Sequence, residues 1–465
     1  MNYYLAVDIG ASSGRHMLGH IENGKIVMEE IYRFKTHDEQ KQSKWYWDSD
    51  ALVENVIKGM EACKATGKIP CMMGINSWGM DYVLLDKKGS LLGNAADYRD
   101  EMGMLTMMSE VEKVIPYTEL YDRTGISRMP GDTIYQLMTI KTNHPDVWEQ
   151  VGTVLMIPSF INYRLTGIIK EEYTNATTTG LINLKTKTWD EELIERVGLP
   201  KNIFIKLHKP GEIVGKISDN VRNRVGFDCP IVLPISHDTA SAYMAVPTKD
   251  DGVYISSGTW SLLGMMSDNP INTPEAMKAE FTNEGAYAGR YRVIRGILGM
   301  FILDGIKSDL GNKHDYTQLT QMAMEAEDIS SVINVRSIWY LIAPNMIEAI
   351  KGECSQTGQR VPETDGQVLK IFFNSLVKAY AESIIELKAV TGKKITAIHI
   401  VGGGSQNNYL NMLTAQKTGL PVLAGPAEAT VIGNLLSQMI AGGELIGIDA
   451  AKAVCAETFP VKHFS

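Results

Sequence analysis

The chain has 465 residues, enough for two or three domains at roughly 100–200 residues each. Its 45 Lys and Arg against 54 Asp and Glu give a net charge of −9, which excludes a bulk electrostatic grip on nucleic acid or an anionic membrane. Hydrophobic residues at 44% and charged residues at 21% suit a globular protein, the five cysteines form no CxxC pair, and no apolar run reaches the ~18 residues of a membrane-spanning helix.

An odd cysteine count fits reduced thiols. The opening MNYYLAVDIG has no basic region, and Asp8 interrupts its apolar run, so it does not read as a signal peptide. The expectation is a cytoplasmic protein.

In chain order, residues 4–20 read as a strand, a tight turn of small residues at Gly10–Ser13, and a second strand. Charged, turn-rich sequence follows to Lys41. A helix starts at Asp48, with Asp50 as its expected cap. Met72–Ile75 is a short apolar strand, and Trp78–Asp86 another, turned back by Lys87-Lys88-Gly89. Helical patterns fill much of 101–165. A short helix spans Trp189–Val197, ended by Gly198 and Pro200. Positions 230–236 form an apolar run, and Asp238-Thr239-Ala240 opens a helix that ends before Pro247. The polar stretch Thr248–Gly252 marks a boundary, predicting domains over 1–246 and 247–465.

The second half repeats the opening device: Val253–Ser257, a turn at Gly258-Thr259, then Trp260–Leu263. The clearest helix runs from about Gln367 to Val390, with apolar residues at spacings of three and four and Gly392 suited to its C-cap. A strand at Ile395–Val401 leads into Gly402-Gly403-Gly404.

Chemistry concentrates at the turns. Small residues leave backbone N–H groups and hydroxyls pointing outward, an anion nest. Two nests, one in each half, suit a polyphosphate and hence an ATP-using fold. Asp8 has two readings, a carboxylate that holds Mg²⁺ beside phosphates or a strand-end residue that caps its turn. Asp238 also has two: a helix N-cap, or a general base that takes a proton from a substrate hydroxyl. His237 reads as a packed neighbour, since no HxH or HxxxH spacing suggests a metal. Position 407 is Asn where GxGxxG needs Gly, which disfavours a dinucleotide oxidoreductase.

Taken together, the stretches AVDIGASSGR (6–15), SWGMDYVLLD (77–86), YRD (98–100), EYTNATTT (172–179), SHDTASA (236–242), YISSGTWSL (254–262), TNEG (282–285), RYRV (290–293), HIVGGGSQN (399–407) and AGPAEAT (424–430) resemble the FGGY carbohydrate kinases. The resemblance spans nearly the whole chain. It implies a two-lobed actin/Hsp70-like (ribonuclease H-like) ATPase fold, with a mixed sheet flanked by helices in each lobe. It implies ATP and Mg²⁺ as cofactors and a small ketose as substrate. The motifs stand nearest the branch that phosphorylates O1 of L-rhamnulose. L-fuculose, xylulose or a branched pentulose is the alternative, and a non-catalytic sugar sensor on the same fold a further one.

The resemblance also implies roles. Asp238 is the catalytic base, with His237, Thr239 and Gly79 beside the sugar. Ala11, Ser12, Ser13, Gly14 and Arg15 contact ATP phosphates, as do Gly258 and Thr259. Gly403 and Gly404 approach the adenosine, and Asp8 places Mg²⁺. The chain departs from its branch after RYRV, where Gly296, Phe301 and Asp304 replace the usual Asn, Trp and Gln.

Overall fold

The strand Tyr3–Ile9 is apolar except for Asp8 and buried from Tyr4 onward, which makes it the centre of a sheet and not an edge. It pairs antiparallel with Ser13–Glu22 and parallel with Pro70–Ser77. The sheet order is 213–216, 230–232, 70–77, 3–9, 13–22, 25–35. These assignments come from a computed structural model, which describes residues 1–36, 38–41, 44–98, 101–246 and 252–465.

The helix Ser49–Ala65 packs on this sheet through Leu52, Val53, Val56, Ile57 and Met60. Its cap is Asp48, whose Oδ1 accepts from the Ala51 N–H at 2.9 Å. Asp50, the expected cap, is already inside the helix and pairs instead with Arg164 at 2.6 Å. Among the strands not anticipated are Lys25–Lys35 and Val151–Met156; the latter pairs antiparallel with Tyr82–Asp86. The helix at 189–197 is shorter than expected, Glu191–Arg196, because Asp190 caps it through the Leu193 N–H.

The chain forms two compact units, each built from more than one stretch of sequence. The first unit holds Met1–Pro247, Met266–Val293 and Thr430–Thr458; the second holds Thr248–Met265, Ile294–Ala429 and Phe459–Ser465. Chemistry explains the return of 430–458 to the first unit. In the helix Ala429–Ala441, Asn434 Nδ2 donates to the Gly74 carbonyl and Gln438 Nε2 to the Leu5 carbonyl, each at 3.0 Å, both on central strands. The expected boundary segment 248–252, apart from Gly252, lies outside the described residues.

The second unit repeats the topology of the first. Val253–Ser257 pairs antiparallel with Trp260–Ser267 and parallel with Ile398–Val401. Val422–Ala424 adds in parallel and Lys462–Phe464 antiparallel. The long helix is Asp365–Thr391, capped by Thr364 and ended by Gly392 at φ 65°.

Candidate active site

The Asp238 carboxylate sits where an extended segment becomes a helix. The Ser77 N–H donates to the Ser236 carbonyl at 3.0 Å, fixing the segment against the strand Pro70–Ser77. The helix is Asp238–Met244, and its N-cap is His237, which makes no side-chain cap bond. Asp238 is therefore the first helical residue and not the cap. Its Oδ1 accepts from the Thr239 N–H at 2.5 Å and the Thr239 hydroxyl at 2.9 Å, and its side chain is 29% exposed. This short helix is seated against Ala429–Ala441: the Ser241 hydroxyl donates to the Thr430 carbonyl at 2.8 Å, and a Cβ at Gly433 would stand 1.8 Å from the Ser241 carbonyl oxygen.

Buried charges surround the turn. Glu172 accepts from the Thr174 N–H and hydroxyl, the Asn175 N–H, and the Ser236 N–H and hydroxyl. Burial pushes its carboxyl up despite these bonds. Arg292, wholly buried, donates from Nη2 to Glu284 at 2.6 Å, and its Nη2 lies 2.9 Å from His237 Nδ1. Burial alone would raise Glu284, but the Arg292 charge and hydrogen bond, with the His237 ring beside it, outweigh it and hold the carboxyl below its ordinary range.

Gly79 lies in the same unit, under the 3₁₀ turn Thr177–Thr179. A Cβ there would stand 2.6 Å from Thr178 Cγ2. Met80 follows at φ 74°, its N–H donating to the Thr178 hydroxyl at 2.8 Å. Asp81 is fully buried and accepts from the indole N–H groups of Trp47 (2.6 Å) and Trp78 (2.8 Å) and from Gln136 Nε2 (3.1 Å). Burial, with the Asp97 charge, pushes its carboxyl up to about 8. Of the YRD motif only Tyr98 is among the described residues.

In the first hairpin the Gly10 N–H donates to the Ser13 carbonyl at 2.9 Å, closing the turn over Ala11 and Ser12. Arg15 pairs with Asp8 at 3.0 Å. Gly14 is not in the turn. It lies in the second strand opposite Phe34, and a Cβ would enter the Phe34 ring at 2.1 Å, so packing alone demands glycine here.

In the second hairpin the Gly258 N–H donates to the Trp260 carbonyl at 2.9 Å, and the carbonyls of Gly258 and Thr259 accept from the N–H groups of Met300 and Phe301. The helix Met300–Asp309 is thus joined to the turn. Asp304 in that helix accepts from the Tyr316 hydroxyl at 2.7 Å. A Cβ at Gly296 would lie 3.3 Å from the Trp260 ring, tight contact. Gly404 is forced by its approach to Ser257, whose Oγ would stand 2.0 Å from a Cβ; a Cβ at Gly403 meets nothing within 4 Å.

Asp238, His237, Thr239 and Gly79, singled out from the sequence, all lie in the first unit. Asp81, Glu172, Glu284 and Arg292 were not singled out. Each lies within a motif segment, but residue type alone does not tell a buried carboxylate from a surface one. Among the described residues no group of three or more His, Cys, Asp or Glu is placed to hold a metal, and none of their helices is long and apolar enough to cross a membrane.

Two units, each a mixed sheet opened by a hairpin and flanked by helices, have the actin-like ATPase fold. Solved structures share it. A xylulose kinase from Lactobacillus acidophilus superposes with a TM-score of 0.81 at 18% identity, covering 100% of this chain and 94% of that one. A Plasmodium falciparum glycerol kinase with ADP gives 0.80 at 15%, covering 100% and 94%. Family models then name the class more closely. The N-terminal domain of the FGGY family of carbohydrate kinases matches residues 3–245 and the C-terminal domain residues 253–442, and the chain belongs to that family. It is a sugar kinase, of a family that takes its phosphoryl group from ATP.

Relatives named rhamnulokinase run the full length. One from Halalkalibacterium halodurans is 39% identical over 464 residues, 100% of this chain and 99% of that protein. One from Oceanobacillus iheyensis is 38% identical over 461 residues (99% and 98%), and one from Bacillus subtilis 38% over 468 (99% and 95%).

Proposed function

We propose that the protein transfers the γ-phosphoryl group of ATP to O1 of L-rhamnulose, giving L-rhamnulose 1-phosphate, with Asp238 as general base. The observation that carries the substrate is the 39% identity, over the whole chain, to a protein named rhamnulokinase. For the base it is a carboxylate that keeps solvent access while Thr239 holds its Oδ1.

In this reading Asp238 accepts the O1 proton as the hydroxyl attacks, which positioning and charge stabilisation make sufficient for phosphoryl transfer. His237, Thr239 and Gly79 border the sugar. The turn at Ala11–Ser13, with Gly14 and Arg15, takes phosphate oxygens, as do Gly258 and Thr259; Gly403 and Gly404 take the adenosine. Asp8 fits Mg²⁺, which keeps several waters and asks for only one or two carboxylates. Bound there, the ion neutralises charge on the phosphates; Arg15 holds the Asp8 carboxylate in place.

A different ketose is the second reading, favoured by Gly296, whose missing amide removes a partner for a sugar hydroxyl. ADP release measured with L-rhamnulose, L-fuculose, L-xylulose, D-xylulose and D-ribulose separates the two. L-Rhamnulose is expected to have the highest kcat/KM. Any other ketose ahead by tenfold, about 1.4 kcal/mol, overturns the assignment and leaves the kinase. Asp238→Asn is expected to lower kcat by about 10²–10⁴-fold with both substrates still bound; near-normal turnover of the folded variant removes Asp238 from the role.

A further inference from the structure

The contacts around the proposed base determine where a neighbouring imidazole carries its proton. His237 is buried, with Nδ1 2.9 Å from Arg292 Nη2 and 3.2 Å from Glu284 Oε2, and Nε2 3.4 Å from Asp238 Oδ1. A guanidinium nitrogen only donates. Nη2 has two hydrogens and two acceptors in reach: Glu284 Oε2 at 2.6 Å and His237 Nδ1. Arg292 Nε is spent on the Gly285 carbonyl at 3.2 Å. A proton on Nδ1 would set hydrogen against hydrogen across 2.9 Å, so Nδ1 presents its lone pair.

We propose that Arg292 holds His237 in the Nε2–H tautomer, so that the imidazole donates toward Asp238 Oδ1, and that Arg292 is thereby a positioning residue for the base. The proposal rests on the reading of Asp238 as that base. Oδ1 then accepts from the Thr239 N–H and hydroxyl, with the Nε2–H of His237 turned toward it from 3.4 Å. Oδ2 is left as the oxygen that takes the substrate proton. The other tautomer would turn a lone pair on Oδ1 and push the carboxylate out of line. Arg292 is wholly buried, and its hydrogen-bond partners are Gly285, Glu284 and His237. It acts through His237, as an outer partner fixes the tautomer of a working histidine in other sites.

The first measurement is on the intact protein: long-range ¹H–¹⁵N spectra of the ¹⁵N-histidine-labelled chain, with the His237 signals identified by their loss in His237→Gln. The expected pattern is a protonated Nε2 and an unprotonated Nδ1; a protonated Nδ1 overturns the proposal. The second is kinetic. In Arg292→Met combined with Glu284→Gln, no unpaired charge stays buried. That variant is expected to lose the fixed tautomer and on the order of 10- to 100-fold in kcat, while KM for sugar and ATP barely moves. Unchanged kcat in this variant overturns the proposal. If it does not fold, the spectrum of the parent decides alone.

Placed on Asp238→Asn, the same pair of changes is expected to add no further loss, because the base they orient is gone. A further loss there overturns action through Asp238. Failure of the underlying reading looks different: Asp238→Asn alone would keep its turnover, whatever the tautomer.

Discussion

At the scale of single residues, the structure sorts the turn glycines by what their missing Cβ would meet. Gly14, Gly79 and Gly404 are glycines because a neighbour comes too close: Phe34, Thr178 and Ser257 respectively. Gly258 and Gly403 are under no such demand. A Cβ at Gly258 meets only the Trp260 carbonyl oxygen at an ordinary 3.8 Å, and neither backbone lies at positive φ. Under the proposed function, what keeps them small is the nucleotide. Gly258→Ala should leave stability within about 0.5 kcal/mol and raise KM for ATP by about tenfold, equivalent to 1.4 kcal/mol, with the sugar KM unmoved. Gly14→Ala should instead cost about 1–3 kcal/mol of stability through overpacking. Thermal melts and steady-state kinetics on the two variants check this. If Gly258→Ala melts as low as Gly14→Ala, its glycine is structural and the nucleotide argument for that turn fails.

At the scale of elements, the sequence showed what local pattern can carry. Both hairpins, the long helix ending at Gly392 and the Asp238 turn were legible because small-residue turns and 3.6-residue periodicity are local signals. Lys25–Lys35 was not, because Glu29 and Glu30 break its alternation at the sheet edge, where one flank needs no apolar cover. Nor were the buried groups that hold the two residues before Asp238. Glu172 is bound to Ser236 across 64 positions and Arg292 to His237 across 55, and no spacing rule reaches that far.

The helix Ser49–Ala65 shows a further consequence of packing that pattern does not reveal. Its Gly59 lies over the buried His16 ring, 2.3 Å from where a Cβ would stand, and His16 Nε2 bonds the Val56 carbonyl at 3.1 Å. Burial lowers the His16 imidazole from 6.5 to about 4, against the pull of that carbonyl. The folded chain thus binds fewer protons than the unfolded one between those values, so stability falls as pH drops from about 6.5 toward 4. The full span is worth about 3 kcal/mol. Denaturant titrations of the parent and of His16→Leu across this range should show the parent losing that amount and the variant losing less. Parallel curves would remove His16 as the source.

At the scale of the molecule, the return of residues 430–458 to the first unit carries an expectation of its own. Gly433 belongs to the first unit although 186 residues separate it from Val246. A methyl group there would meet the Ser241 carbonyl oxygen at 1.8 Å, and backbone on both sides leaves no flexible side chain to yield. Its helix also holds Gly74 and Leu5 through Asn434 and Gln438. Gly433→Ala should therefore loosen strands far back in the chain. Amide hydrogen exchange should rise first in Tyr3–Ile9 and Pro70–Ser77, while Ile398–Val401 and Val422–Ala424, much nearer in sequence, keep their protection. Ser241 sits in the helix that begins with Asp238, so kcat should fall with the same change. Loss of protection confined to 398–424 would mean that the helix is held by its sequence neighbours, and that the first unit ends where the polar segment begins.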